Sequence, residues 1–167
     1  DVLIAAGANA QLVGGMGDDL YILSSKETTV VEELGGGRDT VQTSQFSINL
    51  KNYAFVGNAT LTGSANLNLT GNAAANVLTG NAGKNIMTGG WGADIFAFAA
   101  AGDSAVAFHQ RDWIMDFNRR LDKIDLSAMD ASSKLDGDQA FSFIGNKAFT
   151  KAAGQLRFDK VDYRGWW

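Results

Sequence analysis

Glycine recurs every nine residues in this chain, and that period constrains the fold more than any other feature. Between residues 71 and 97 three nonamers superpose: GNAAANVLT (71–79), GNAGKNIMT (80–88) and GGWGADIFA (89–97). Gly71, Gly80 and Gly89 coincide. So do Asn76, Asn85 and Asp94, and the apolar pairs Val77/Leu78, Ile86/Met87 and Ile95/Phe96. The same period runs at the N-terminus, where Asp1, Ala10 and Asp19 are nine apart and each is followed two residues later by Leu3, Leu12 or Tyr21. The block GGMGDDLYI (14–22) satisfies the form GGxGxDxUx, U being a large apolar residue.

A nonapeptide period means a β-helix or β-roll. Six residues of Gly and small polar type make a turn, because Gly accepts positive φ and close backbone approach. The other three make a very short strand with its large side chain inward. One such unit cannot bury its face, whereas stacked units share a continuous core. Two nonamers complete a coil, so turns 18 residues apart are expected to stack on one side. The expected fold is all-β: a parallel β-roll, a nonapeptide-repeat solenoid, with a C-terminal β cap. The expected organisation is N-terminal repeats over 1–45 (degenerate after Leu34), central repeats over 46–104 and a cap over 105–167.

Composition removes several function classes. The 167 residues include no Cys, no Pro and one His. Without Cys there is no disulfide framework and no thiolate metal site. A single His excludes zinc sites built from several imidazoles. A net charge of −4 with no basic stripe argues against a nucleic-acid partner. No window approaches the roughly 18 apolar residues of a transmembrane segment. The N-terminus carries no signal-peptide pattern and opens inside the repeat, so the chain reads as part of something longer.

The carboxylate pairs Asp112/Asp116 and Asp122/Asp125 superficially suit glycoside hydrolysis. The repeat explains them with less, and no nucleophile neighbours His109 in sequence. The chain therefore reads as non-catalytic. Phe96, Phe98, Phe117, Phe141 and Phe143 read as core, as does Trp113, and Trp91 as exposed.

The blocks GGMGDDLYI (14–22) and GGWGADIFA (89–97), followed by DWIMDF (112–117) and DKIDLS (122–127), resemble the RTX, or hemolysin-type, repeat family. The later blocks resemble the C-terminal domain of serralysin-type secreted proteases, and the likeness covers roughly residues 1–160. The resemblance implies calcium between stacked turns, an extracellular location, export by type I secretion machinery and a linked catalytic or effector domain. Calcium is a hard ion that takes six to eight oxygens, so carbonyls and carboxylates suit it.

In the family's pattern one turn supplies the carbonyls of its second and fourth residues and the carboxylate of its sixth. The next turn adds the carbonyls of its first and third residues and its own carboxylate. Carried over, Gly15, Gly17 and Asp19 face Leu34, Gly36 and Asp39 across a 20-residue gap. Gly90, Gly92 and Asp94 face Ala107, His109 and Asp112, 18 residues on. Asp1 with Gly14, Met16 and Asp19 forms a third candidate. Asp122, closing a degenerate turn over 117–122, joins Asp103 on the opposite stack. Asp103 and Asp116 also have a plain turn reading.

Departures from the pattern are expected to erode the array. The turn AAGANA (5–10) has no carboxylate, and Asn76 and Asn85 stand where the family has Asp. Affinity rises with ligand charge, so those turns are expected to be weak or ion-free. At the C-terminus FSFIG (141–145) and QLRF (155–158) match the cap, but the ending DYRGWW departs from it and bears on the export signal. The alternative reading is an extracellular polysaccharide-binding or adhesin module. Such a module would carry a stripe of exposed aromatic or polar residues, for which Arg119, Arg120 and Lys123 are the basic candidates.

Overall fold

The computed structural model describes residues 1–156 apart from 6, 105, 106, 108, 132–135, 137, 138 and 149. The expected strand end Arg157-Phe158 and the DYRGWW ending lie outside the described residues. The chain divides into two compact units, Asp1–Leu126 and Ser127–Trp167.

The first unit is a roll of short strands: β1 (Val2–Ala5), β2 (Gln11–Val13), β3 (Leu20–Leu23), β4 (Thr29–Val31), β5 (Thr40–Thr43), β6 (Ile48–Asn49), β7 (Asn58–Leu61), β8 (Leu69–Thr70), β9 (Val77–Thr79), β10 (Ile86–Thr88), β11 (Ile95–Ala97), β12 (Trp113–Ile114) and β13 (Lys123–Asp125). The odd-numbered strands form one sheet in the order β1-β3-β5-β7-β9-β11-β13. The even-numbered strands pair separately as β2-β4 and β12-β10-β8-β6. Each pairing among them is parallel. The second unit contains β14 (Ser142–Phe143) and β15 (Gln155–Leu156), also parallel.

Register stacks the large residue of each repeat on the next. On the long sheet the column runs Leu3, Tyr21, Val41, Ala59, Leu78, Phe96, Ile124. Opposite it, Ile48, Leu69, Met87 and Ile114 are joined by the register of β6, β8, β10 and β12. Tyr21, Val41, Ala59, Leu69, Leu78, Met87 and Phe96 are completely buried. Each large aliphatic or aromatic residue so buried contributes about 1.5–3 kcal/mol. That is small per coil, so the core depends on the stack being continuous.

Insertions lengthen individual coils without breaking the columns. A single turn of 3₁₀ helix over Leu50–Asn52, capped by the Asn49 side chain, follows β6. Between β11 and β12 the chain makes a longer excursion, so Met87 stacks on Ile114, 27 residues on, and Phe96 on Ile124, 28 residues on. Phe96 is core as expected, Phe98 packs partly against it and Trp91 is exposed. Phe117 is a correction: it stands at the end of the stack, 40% exposed, with its ring 6.1 Å from that of Phe96. Phe143 is also corrected from core to exposed.

Candidate metal centre

The strand register aligns the sixth turn residues into a column beside the long sheet: Asp1, Asp19, Asp39, Gly57, Asn76, Asp94 and Asp122. Carboxylates occupy the two ends of this column and neutral residues its middle. Asp39, Asp94 and Asp122 each take a backbone N–H from the coil before them. Asp39 Oδ1 accepts from Asp19 N at 3.0 Å, Asp94 Oδ1 from Asn76 N at 2.9 Å and Asp122 Oδ1 from Asp94 N at 3.0 Å. On the opposite stack Asp112 Oδ1 accepts from Asn85 N at 2.8 Å. One oxygen of each group thus ties coil to coil, and the second oxygen is left for other work.

At the N-terminal end that second oxygen has no partner. Asp19 Oδ2, Asp39 Oδ2 and Glu32 Oε2 are all buried without a hydrogen bond. A buried, unpartnered carboxylate oxygen is costly, and three together are more so. One oxygen from each of Asp19, Glu32 and Asp39 lies within 4.8 Å of the others. The backbone nitrogen of Asp1 sits 2.7 Å from Asp19 Oδ1. Burial, then the charges of Glu32, Asp19 and Asp18, push the Asp39 carboxyl above its ordinary range, against the bond from Asp19 N.

The glycines here do specific work. Gly15 and Gly17 have φ of 87° and 109°, in the left-handed region that other residues avoid. A Cβ on Gly14 would collide with the Tyr21 hydroxyl, Asp19 Oδ2 and Glu32 Oε1. One on Gly36 would come within 2.6 Å of the Gly15 carbonyl and 3.0 Å of Glu32 Oε2. The cradle is therefore lined by oxygens and kept open by missing side chains. An oxygen-only set that carries net negative charge fits a hard cation such as calcium. The register sets the turn of Asp19 beside that of Asp39 despite the 20-residue step, with Gly17 N donating to the Gly36 carbonyl at 2.6 Å. Leu34 and Met16 are exposed at this turn pair. Glu32 was absent from the expected set. Its signal is that Val30 and Val41 are 11 residues apart instead of nine.

At the C-terminal end two expected pairings are corrected. Asp94 stacks on Asp122, not on Asp112, and Asp122 stacks on Asp94, not on Asp103. Both errors come from counting nine-residue steps through the excursion after β11. Between β11 and β12 the chain carries about nine residues more than the regular spacing, so everything beyond arrives half a coil later. Asp112 belongs to the opposite stack, on Asn85. The Ala107 carbonyl accepts the N–H groups of Gln110 and Arg111, and His109 is exposed. Asp103 caps its own turn, accepting from Ala99 and Ala100 N at 2.8 Å each.

Gly90 and Gly92, with φ of 95° and 116°, keep the geometry of Gly15 and Gly17. Asp94 is buried, and burial raises its carboxyl, with Asp122 and Asp116 adding repulsion against the bond from Asn76 N. Asp122 Oδ2 already accepts from Asn118 N at 2.7 Å, so it is partly committed to its own turn. Asp112 Oδ2 is buried and unpartnered, and burial pushes the Asp112 carboxyl up to about 6, helped by the nearby Asp103 charge. Asp116 is another contributor that spacing did not reveal. Its two oxygens accept the N–H groups of Gly89 and Gly90 at 2.8 Å each.

Between these ends the Asn side chains are fully used. Asn76 Oδ1 accepts from Asn72 N at 2.9 Å, and its amide donates to the Gly57 carbonyl at 2.9 Å and to Asn72 Oδ1 at 3.1 Å. Asn85 repeats the arrangement with Asn81 N, the Leu67 carbonyl and Asn81 Oδ1. An amide can do both because it donates and accepts, whereas a carboxylate only accepts. Each amide thus ties its own turn together and joins it to the coil before.

The family model described as Peptidase M10 serralysin C terminal matches residues 1–163. No curated protein matches the chain. The match spans nearly the whole sequence and agrees with the parallel roll and its glycine turns. The chain belongs to the serralysin C-terminal family of RTX nonapeptide-repeat domains.

Proposed function

We propose that this chain is a calcium-binding β-roll module of a secreted protein, non-catalytic itself, which folds on calcium after type I secretion and stabilises or exports a linked effector domain. The observation that carries this reading is the trio of buried, unpartnered oxygens on Asp19, Glu32 and Asp39. When bound, the ion supplies positive charge to these oxygens. The protein's own part is to hold them close through the coil register and to keep the cradle open with Gly14, Gly15, Gly17 and Gly36. Gly90, Gly92, Asp94 and Asp122 are the corresponding donors at the other end, with Asp112 on the opposite stack.

The folding role follows from linkage. The cradle exists only when coils are stacked, so ligand affinity for the folded form adds to folding free energy. Extracellular calcium modules work at about 10⁻⁴–10⁻³ M, far above cytosolic levels, so the chain would stay unfolded before export. Glycine-rich turns and a thin core keep the ion-free fold marginal. The test is circular dichroism during a calcium titration reversed with EGTA, on the wild type and on Asp19→Ala and Asp94→Ala. The expected result is calcium-dependent β signal, with the midpoint shifted to higher calcium in each variant. A chain fully folded in EGTA and unchanged by calcium overturns the reading.

A further inference from the structure

Glu32 does not belong to the nine-residue pattern. Leu12 and Val30 pair across β2 and β4 at an 18-residue step, and Tyr21 and Val41 pair across β3 and β5 at a 20-residue step. The two surplus residues lie between Val30 and Val41. With Asp39 as the sixth residue of its turn, the turn begins at Leu34, which leaves Glu32 and Glu33 as the insertion. Glu33 is exposed and Glu32 is only 7% exposed. The insertion thus sends one carboxylate inward and one out.

The inward carboxylate is anchored by one oxygen and free at the other. Glu32 Oε1 accepts from the Tyr21 hydroxyl. Burial and that same bond raise the Tyr21 phenol above its ordinary value, with the charges of Glu32, Asp19 and Asp39 adding to it, so it remains a donor. Glu32 Oε2 is buried without a partner, as are Asp19 Oδ2 and Asp39 Oδ2. Resting a Glu on a core Tyr orients it without a positive side chain.

We propose that Glu32 is a third carboxylate ligand of the cation at the Asp19–Asp39 turn pair, and that the resulting triply negative oxygen set makes this the tightest cation site of the chain and one that favours trivalent over divalent ions. The proposal rests on the calcium reading above and adds to it a ligand outside the repeat. Charge count tunes affinity in oxygen-ligand sites, and the Asp94–Asp122 pair has two carboxylates, one already half committed.

The experiment uses the whole chain and two probes, calcium and terbium. In the wild type, with side-chain carboxyls labelled with ¹³C, the Glu32 carboxyl resonance should move with calcium in step with those of Asp19 and Asp39. By titration calorimetry, Glu32→Gln should lose roughly tenfold or more in affinity at the tightest calcium site, since affinity follows ligand charge. Its terbium affinity, read by luminescence sensitised through Tyr21, should fall further than its calcium affinity. Asp94→Asn should leave the tightest site in place. A wild-type Glu32 resonance that ignores calcium while Asp19 and Asp39 respond overturns the Glu32 assignment alone, and needs no variant to fold. So does a folded Glu32→Gln with wild-type affinities. If neither Asp19 nor Asp39 responds and Asp39→Asn changes nothing, the calcium reading itself fails at this turn pair.

Discussion

The backbone N–H of Asp94 donates to Asp122 Oδ1 at 3.0 Å, 28 residues further along the chain. This bond joins the last two coils beside the long sheet, where Ile95 pairs with Lys123 and Phe96 with Ile124. The two side chains belong to one turn pair, whereas Asp112 sits against Asn85 on the other stack. A double-mutant cycle separates the alternatives. With Asp→Asn changes in calcium, Asp94 and Asp122 should couple by about 0.5–3 kcal/mol in unfolding free energy. Asp94 and Asp112 should add within about 0.5 kcal/mol. Urea unfolding of the four chains in each cycle measures this.

Asn76 bridges coils without an ion. Replacing it with Asp keeps the acceptor for Asn72 N and removes both amide donors, so the Gly57 carbonyl loses this partner, while Asn72 Oδ1 keeps only the N–H of Ala74 and faces a carboxylate. Asn76→Asp should cost about 1–3 kcal/mol in EGTA, the range for stranding buried polar groups. Chemical denaturation in EGTA is the measurement. An unchanged midpoint would show that the amide bridges carry no weight.

Glycines in the cradle and in the excursion should respond differently to a methyl group. A Cβ on Gly14 meets the Tyr21 hydroxyl and two carboxylate oxygens, and one on Gly92 meets the Ala74 carbonyl at 2.5 Å while φ is 116°. Among the described residues, nothing lies within 4 Å of a Cβ on Gly102. Gly14→Ala and Gly92→Ala should each destabilise the fold by about 1–3 kcal/mol, from steric overlap or backbone strain. Gly102→Ala should stay within about 0.5 kcal/mol of wild type. Thermal melts in calcium compare the three.

The metal-free fold should weaken as pH rises through the mildly acidic range. Asp112 titrates near 6 in the folded chain, against an ordinary value of 3.8, because burial disfavours its charge. A folded value raised above the unfolded one means that the native state holds the proton more tightly. The stability linked to this proton is complete below the unfolded value and is lost as pH rises to the folded one. Asp39 and Asp94 shift in the same direction, also through burial. In EGTA, unfolding free energy should therefore drop between about pH 4 and 6, Asp112 supplying roughly 1 kcal/mol once solvent screening of a half-exposed group is allowed for. Asp112→Asn should flatten its share of the slope. Urea midpoints across that pH range test both statements, and a flat profile in EGTA contradicts them.

Much of the roll was legible in the sequence because its period is a packing requirement. A residue such as Tyr21, Leu78 or Phe96 must recur once per half-coil to keep the column continuous, and Gly15, Gly17, Gly90 and Gly92 must recur where φ turns positive. Those demands are local, so they appear as spacing. The stack of Asp19 on Asp39 was legible for the same reason, since a two-residue surplus does not change which side a turn faces.

The rest depended on where surplus residues go, and spacing does not record that. Between β11 and β12 the chain carries a nonamer's worth of residues beyond the regular spacing. Every later turn is then displaced to the other side, which gives Asp122 to Asp94 and Asp112 to Asn85. Glu32 likewise looked like one of two adjacent acids, and only the fold sends it inward to Tyr21 while Glu33 faces water. The sequence by itself determined the repeat, the parallel roll, the inward column and the glycine turns, because each is a condition that every coil must satisfy. The tertiary structure decided which carboxylates meet, because an insertion can be absorbed as a loop or as a coil, and the stacking of Phe96 on Ile124 and Met87 on Ile114 selects the loop.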